Sequence, residues 1–277
     1  MRRSLTGPAL AAIAALALTF SSGCTDDGAG ALEKVRAASE TTLGAKTAEV
    51  AITVATDIGG TATTLTGDGS FDLGAGRGNL SLDLGSLLAG TKLDARILGD
   101  TAYITPPPFL AALVGKPFLE IDLALLVTQN PQFGPISSTA NPVTSVDALR
   151  GATDAAVVGP EVVRGEETTH FRGTLDLAAA GSEGDTNAEA IGRLSALLGT
   201  NEVPYDVWLD DAGRIRRTKL EVTKSAADSA DGKASSTTVT TELFGYGAAV
   251  EVTVPAKDQV ADGNALLKTL AGSGASG

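Results

Sequence analysis

Apolar and polar residues alternate with a period of two along most of this chain, and a helical period interrupts that alternation at only a few places. Ala48, Val50, Ile52 and Val54 alternate with Thr47, Glu49, Ala51 and Thr53, which predicts a strand with one buried face. Gly59-Gly60 predicts a turn, and Thr61 to Leu73 a returning strand that ends in Phe71 and Leu73. After the glycine-rich turn Gly74 to Gly78, Leu80, Leu82 and Leu84 alternate with Asn79, Ser81 and Asp83. Leu93, Ala95 and Ile97 then alternate with Lys92, Asp94 and Arg96, and Gly99-Asp100 turns into Thr101 to Thr105. The same signature returns at Thr153 to Val163, Thr168 to Leu177, Pro204 to Asp210, Arg214 to Thr223, Thr237 to Phe244 and Val250 to Val254. Phe118 to Asp122 is a short strand of its own.

Helices are predicted where the period lengthens. Leu32, Val35, Ala38 and Thr42 place Ala31 to Leu43 in a first helix, with Gly44 as its stop. Pro106 to Pro108 breaks the strand pattern, and Phe109 to Val114 reads as a helical turn. Asp122 caps a segment to Gln129, Asn130 to Ser138 is an irregular loop, and Asn141-Pro142 opens a helix ending at Arg150. Thr186-Asn187-Ala188-Glu189 is a capping box before the stripe Ala190, Ile191, Leu194, Leu197 and Leu198. Asp258 to Leu270 reads as a last helix. The sum is an α+β fold: one large, curved antiparallel β-sheet, a half-barrel with helices covering its concave face. A sheet of about ten strands must curl.

The first residues follow a different pattern. Met1 to Ser4 is a short basic start, and the apolar run Ala9 to Phe20 is shorter than the roughly 20 residues that span a bilayer. Ser21-Ser22-Gly23 then leads to Cys24, the single cysteine of 277 residues. This stretch resembles the lipobox of bacterial lipoproteins, whose cysteine is acylated and becomes the mature N-terminus. Ser21 stands where that pattern prefers leucine. The expected organisation is a signal peptide at 1–23, a lipidated tether at 24–30, one domain at 31–262 and a flexible tail at 263–277. The expected location is the outer face of the cell membrane.

Charge and composition narrow the chemistry. Taking Arg2 and Arg3 from the 21 Lys+Arg leaves 19 against 33 Asp+Glu, a net charge of −14 for the exported chain. That balance excludes nucleic acid as a partner and argues against a basic membrane patch. One cysteine and one histidine leave no ligand set for zinc, copper or an iron–sulfur cluster, so no metal and no cofactor is expected. His170 shares the polar face of its strand with Thr168, Arg172, Thr174 and Asp176, which predicts a solvated side chain. No serine sits in a Gly-x-Ser-x-Gly elbow. Asp26-Asp27 and Asp210-Asp211 fall on the tether and in a turn, the glycine runs at 67–69 and 74–78 join strands, and Arg214, Arg216, Arg217 and Lys219 read as a solvated strand face. The chain is therefore not expected to be an enzyme.

What remains is the apolar sheet face. Alternation nominates Val50, Ile52, Val54, Phe71, Leu73, Leu80, Leu82, Leu84, Leu93 and Ile97 as its surface, with Leu113 and Leu126 from the covering helices. Such walls suit alkyl chains. A filled core is the other reading, and would make the chain an envelope interaction or sensing module with an unknown protein partner.

Several segments together resemble the LppX/LprG type of actinobacterial lipoprotein, within the wider group of LolA/LolB-like carriers. They are Ser21 to Cys24, Gly99 to Ile104 with Gly115 to Phe118, Gly165 to Asp176, Pro204 to Arg217 and Tyr246 to Val260. The resemblance implies a half-barrel closed by helices around a lipid-sized cavity. It also implies binding or transfer of an acylated lipid at the envelope, without catalysis. Only Cys24 carries over as a family position.

Overall fold

A computed structural model of the chain describes residues 27–84, 91–129, 141–183, 188–228 and 232–273. The expected signal peptide, Cys24, the loop at 130–138, Thr186 and Asn187 of the capping box and the last residues of the expected tail lie outside the described residues.

The strands form one twelve-stranded, open, curved sheet in the order β12-β6-β5-β4-β3-β2-β1-β11-β10-β9-β8-β7. In chain order they are β1 (Thr47–Ile58), β2 (Thr61–Asp72), β3 (Arg77–Asp83), β4 (Lys92–Leu98), β5 (Thr101–Ile104) and β6 (Phe118–Asp122). The second half supplies β7 (Ala156–Val163), β8 (Glu166–Asp176), β9 (Glu202–Leu209), β10 (Ile215–Lys224), β11 (Ser235–Phe244) and β12 (Val260–Asp262). Neighbours are antiparallel except β12, which lies parallel to β6 at one edge. The hairpin-joined order is what alternating strands with tight turns dictate. β1 sits at the centre and joins the two halves by pairing with both β2 and β11.

One rung shows how the register builds the inner face. Phe171, Val207, Thr218, Thr241, Ile52, Gly67, Leu82 and Leu93 stand opposite one another in turn across β8, β9, β10, β11, β1, β2, β3 and β4. A slip of one residue would turn all of them to solvent. Glycine is required at Gly78, the partner of Phe71. A Cβ there would lie 2.5 Å from the Phe71 ring.

The helices are α1 (Asp27–Gly44), α2 (Pro108–Val114), α3 (Leu123–Gln129), α4 (Pro142–Ala148), α5 (Leu177–Glu183), α6 (Ala188–Leu198) and α7 (Gly263–Ser273). α1, α4, α5 and α6 pack together over the β7 to β11 half, and α3 and α7 pack at β6. α1 presents small side chains to the sheet: Ala31, Val35, Ala38, Ser39 and Thr42 are all buried. Thr42 also repairs a backbone defect. The register of β10 against β9 shifts between Ile215 and Arg217, and the Ile215 N–H donates to Thr42 Oγ1 at 2.9 Å. Asn141 caps α4 by accepting from Val143 N at 3.1 Å, with Pro142 in the first turn. The expected cap at Asp122 is present, with its carboxylate accepting from Ala124 N and Leu125 N.

Three expectations about the elements are corrected. α1 begins at Asp27, so the second half of the 24–30 tether is helical. Gly28 and Gly30 disfavour helix by about 1 kcal/mol each, but packing of Ala31 and Val35 carries the helix through them. Residues 263–273 form α7 rather than a flexible tail, because Asp262 caps it by accepting from Ala265 N and the helix packs on β6. Val250 to Val254 is not a strand. This segment crosses the outer face as a strap, its carbonyls at Glu251 and Thr253 accepting from the side chains of Asn79 and Arg96 at 2.9 Å. Asn79 and Arg96 are cross-strand partners, so the strap binds β3 and β4 at one point.

The outer face of the other half is held by a charged and aromatic cluster. His170 is not solvated: it is 8% exposed and stacks on Trp208 with ring centroids 4.2 Å apart. His170 Nε2 lies 2.7 Å from Asp206, and Trp208 Nε1 donates to Glu161 at 2.7 Å. Arg217 lies over the other side of Trp208, 5.1 Å from the ring centroid. The expected solvated basic face is in fact paired. Arg217 and Arg164 both donate to Glu242, Arg214 and Arg216 hold Asp210, and Lys219 holds Glu221.

Burial alone would raise the Glu242 pKa, but the hydrogen bonds and charges of Arg217 and Arg164 outweigh it and hold the carboxyl below its ordinary value. Its stabilising contribution is therefore present above about pH 4.5 and is lost as the pH falls through the lowered pKa. Glu242→Gln is expected to lower stability at neutral pH and to flatten the acid limb of a stability–pH curve measured by urea unfolding. An unchanged acid limb would show that this bridge does not couple to folding. Gly78→Ala is expected to cost about 1–3 kcal/mol in the same measurement, the usual cost of overpacking. A loss under about 0.5 kcal/mol, as for a neutral surface change, would mean that the Phe71 ring moves aside freely.

Candidate functional site

The inner face of β1 to β4 brings together the residues that alternation nominated. Val50, Ile52, Val54, Phe71, Leu73, Leu80, Leu82, Leu84 and Ile97 are buried there in one cluster, whereas Leu126 is buried at 7% exposure on α3, which packs at β6 outside that cluster. Leu93 is half-buried and packs against the same cluster from the end of the central rung. Leu113 is the exception. It is 70% exposed on α2, a helix that buries none of its residues. Its apolar character suggested a wall position, but the proline run before it and the glycine after it project the helix away from the sheet.

Sequence patterning missed the other side of the site. Val143, Val146 and Leu149 of the α4 region, and Ile191, Leu194 and Leu198 of α6, join the same cluster from above. They come from short helices whose packing partners are distant in sequence, and only the α6 stripe was readable as a helix face. The face is also not uniformly apolar. Thr218 and Thr241 sit side by side at its centre, 2% and 1% exposed. Within the helix cover, Ser39 donates to Asp147 at 3.2 Å, and Arg36 ties α1 to the end of the α4 region through the Ala152 carbonyl at 2.8 Å.

Tyr205 is fully buried in the same cluster. Its hydroxyl donates to the Asp154 carbonyl at 2.9 Å, and burial, with the Asp154 charge second, pushes its pKa well above the ordinary tyrosine value. It therefore stays neutral and can only serve as a dipole. Tyr246 is similar: its hydroxyl donates to the Ile215 carbonyl, and burial raises its pKa.

In this conformation the inner face is closed, with sheet and helix side chains in one contiguous apolar cluster. A surface recess of about 770 Å³ lies elsewhere, beside β9 and β10. Arg172, Lys219 and Lys224 face Glu202, Asp206 and Glu221 there, so it has no net preference for either sign of charge. Among the described residues, no group of three or more His, Cys, Asp and Glu is arranged to hold a metal ion, and no helix is long and apolar enough to cross a membrane. The inner face thus presents an apolar wall with two hydroxyls.

Comparison with known proteins agrees with this architecture. The crystal structure of the lipoprotein LppX from Mycobacterium tuberculosis superposes with a TM-score of 0.50 at 14% identity, covering 81% of this chain and 99% of that one. LprF from Mycobacterium bovis gives a TM-score of 0.49 at 16% identity over 82% of this chain and 98% of the other. An uncharacterized 31.2 kDa protein from Streptomyces griseus is 28% identical over 133 residues, which span 47% of this chain and 41% of that protein. The family model described as LppX_LprAFG lipoprotein matches residues 29–252, and the chain belongs to that family.

Proposed function

We propose that this protein is a membrane-anchored lipoprotein that binds, and passes on, an acylated lipid between its sheet and helices. The observation that carries the reading is the inner face. Its central rung is apolar across eight strands apart from one pair of threonines and one glycine, and α1, part of its helix cover, touches the cluster mainly through small side chains. Small contacts are weak contacts, because burial stabilises in proportion to area. A hydrocarbon chain that slides between helix and sheet replaces them at about 0.8 kcal/mol per methylene. Thr218 and Thr241 give the wall a polar point that a lipid ester or amide can reach. The anchor is Cys24, acylated after cleavage behind Gly23, at the outer face of the cell membrane. The family match supports the lipoprotein character.

A second reading has one specific observation in its favour. The wall residues are already sealed by side chains, as in an interaction module with a filled core. The two readings separate on the purified protein. A carrier is expected to yield acylated lipid on organic extraction and a matching adduct in native mass spectrometry. A clean apo mass, with no uptake of an apolar dye, sinks the carrier reading and leaves the module. For the anchor, the N-terminal peptide of membrane-fraction protein is expected to carry acyl mass on Cys24. Cys24→Ser should abolish that mass; an unmodified wild-type peptide would refute lipidation.

A further inference from the structure

We infer that α2 is a membrane-docking tip, seated in the surface of the bilayer to which the chain is anchored. The inference rests on the anchored reading above. α2 reads Pro-Phe-Leu-Ala-Ala-Leu-Val, and none of these residues is buried. Phe109 is 64% exposed and Leu113 70%. An apolar helix held wholly outside the core is a patch that soluble surfaces avoid unless it meets a partner. The tip is built rather than frayed. Pro106 and Pro107 are buried at its foot, and the Pro107 carbonyl accepts from Leu110 N and Ala111 N. Gly115 closes it in the left-handed region at φ 63°, and Lys116 donates to the Asp258 carbonyl. The loop is thus braced at both ends while its middle stays out.

Charge and direction identify the occupant. From Thr105 to Leu119 there is no acidic residue and one lysine, in a chain with 33 Asp+Glu. A tip entering lipid needs this, since a carboxylate would have to be desolvated or protonated. β5 runs in the same sense as β1, so α2 continues past Ile104 toward the end of the sheet where Ile58 lies. α1 runs the opposite way. Its first residues lie beside Ala155 to Val157, and its last turn bonds Ile215 at the other end. The N-terminal end of α1 therefore lies toward the same end as α2, and Cys24 precedes Asp27 by three residues in the sequence. A tether of that length holds α2 at high local concentration beside the bilayer, where a short apolar insertion that is too weak alone becomes effective.

The test uses the full acylated chain in vesicles that contain nitroxide-labelled lipid. Cys24 is the only native cysteine and is blocked by acylation, so Phe109→Cys, Leu113→Cys and Asp211→Cys each take one environment-sensitive dye. Asp211 is exposed in the turn after β9, at the far end of the sheet. Dye at 109 and 113 is expected to shift to the blue and lose emission to the nitroxide, while dye at 211 does neither. A chain that floats with the vesicles yet shows no shift or quenching at 109 and 113 overturns the docking alone. A shift that follows protein concentration without vesicles assigns the tip to a second copy and also overturns it. A chain that fails to float overturns the anchored reading and the docking with it.

Discussion

One constraint organises the molecule: a sheet of this size with one apolar face must keep that face from water along its whole width. The rung from Phe171 through Ile52 to Leu93 shows the cost of failure, since every residue on it would be solvated by a single slip of register. The sequence guards against slippage locally. Gly78 accepts the Phe71 ring, and the register shift in β10 is pinned by Thr42. At the free edge, β7 carries Pro160, Gly159 at φ 145° and a register shift, features that discourage further strand pairing. Register, edge and bulge serve the same end.

The two faces are then fixed by different physics. The outer face is locked by directional contacts: the Trp208 stack between His170 and Arg217, the two arginines on Glu242, and the strap over Asn79 and Arg96. The inner face is held by non-directional apolar contact with helices, of which α1 contributes mainly small residues. Apolar contact tolerates substitution of one hydrocarbon surface by another, whereas a hydrogen-bonded cluster does not. If one side of this protein yields to a ligand, it is the helix side, and the sheet serves as the fixed wall.

The fold was largely legible because alternation over so many strands leaves few other architectures. The wall residues followed directly, since β1 to β4 bury the side chains that the period of two selects. The errors share a cause: local pattern cannot show what an element packs against. Val250 to Val254 alternates like a strand, yet its carbonyls are taken by side chains 157 and 172 residues away. His170 sits on the polar face as read, but Trp208 on the next strand covers it. Leu113 looked like core because it is leucine, and Thr218 and Thr241 did not because they are threonine. Each was decided by a partner distant in sequence. The early start of α1 likewise came from packing, which overrode two glycines.

On the carrier reading, the closed inner face is an energetic statement about exchange. A protein that held an open apolar cavity would lose little on release and much on exposure to water, and would bind whatever hydrocarbon it met. One that collapses when empty must instead trade helix contacts for acyl contacts, so its apparent affinity is reduced by the cost of opening. That cost falls on every ligand alike, which leaves the polar point at Thr218 and Thr241 as the place where ligands differ. A buried hydroxyl pair favours a ligand that returns its hydrogen bonds and penalises one that leaves them unpaired. Discrimination would then rest at the centre of the sheet, and capacity on the leucines around it.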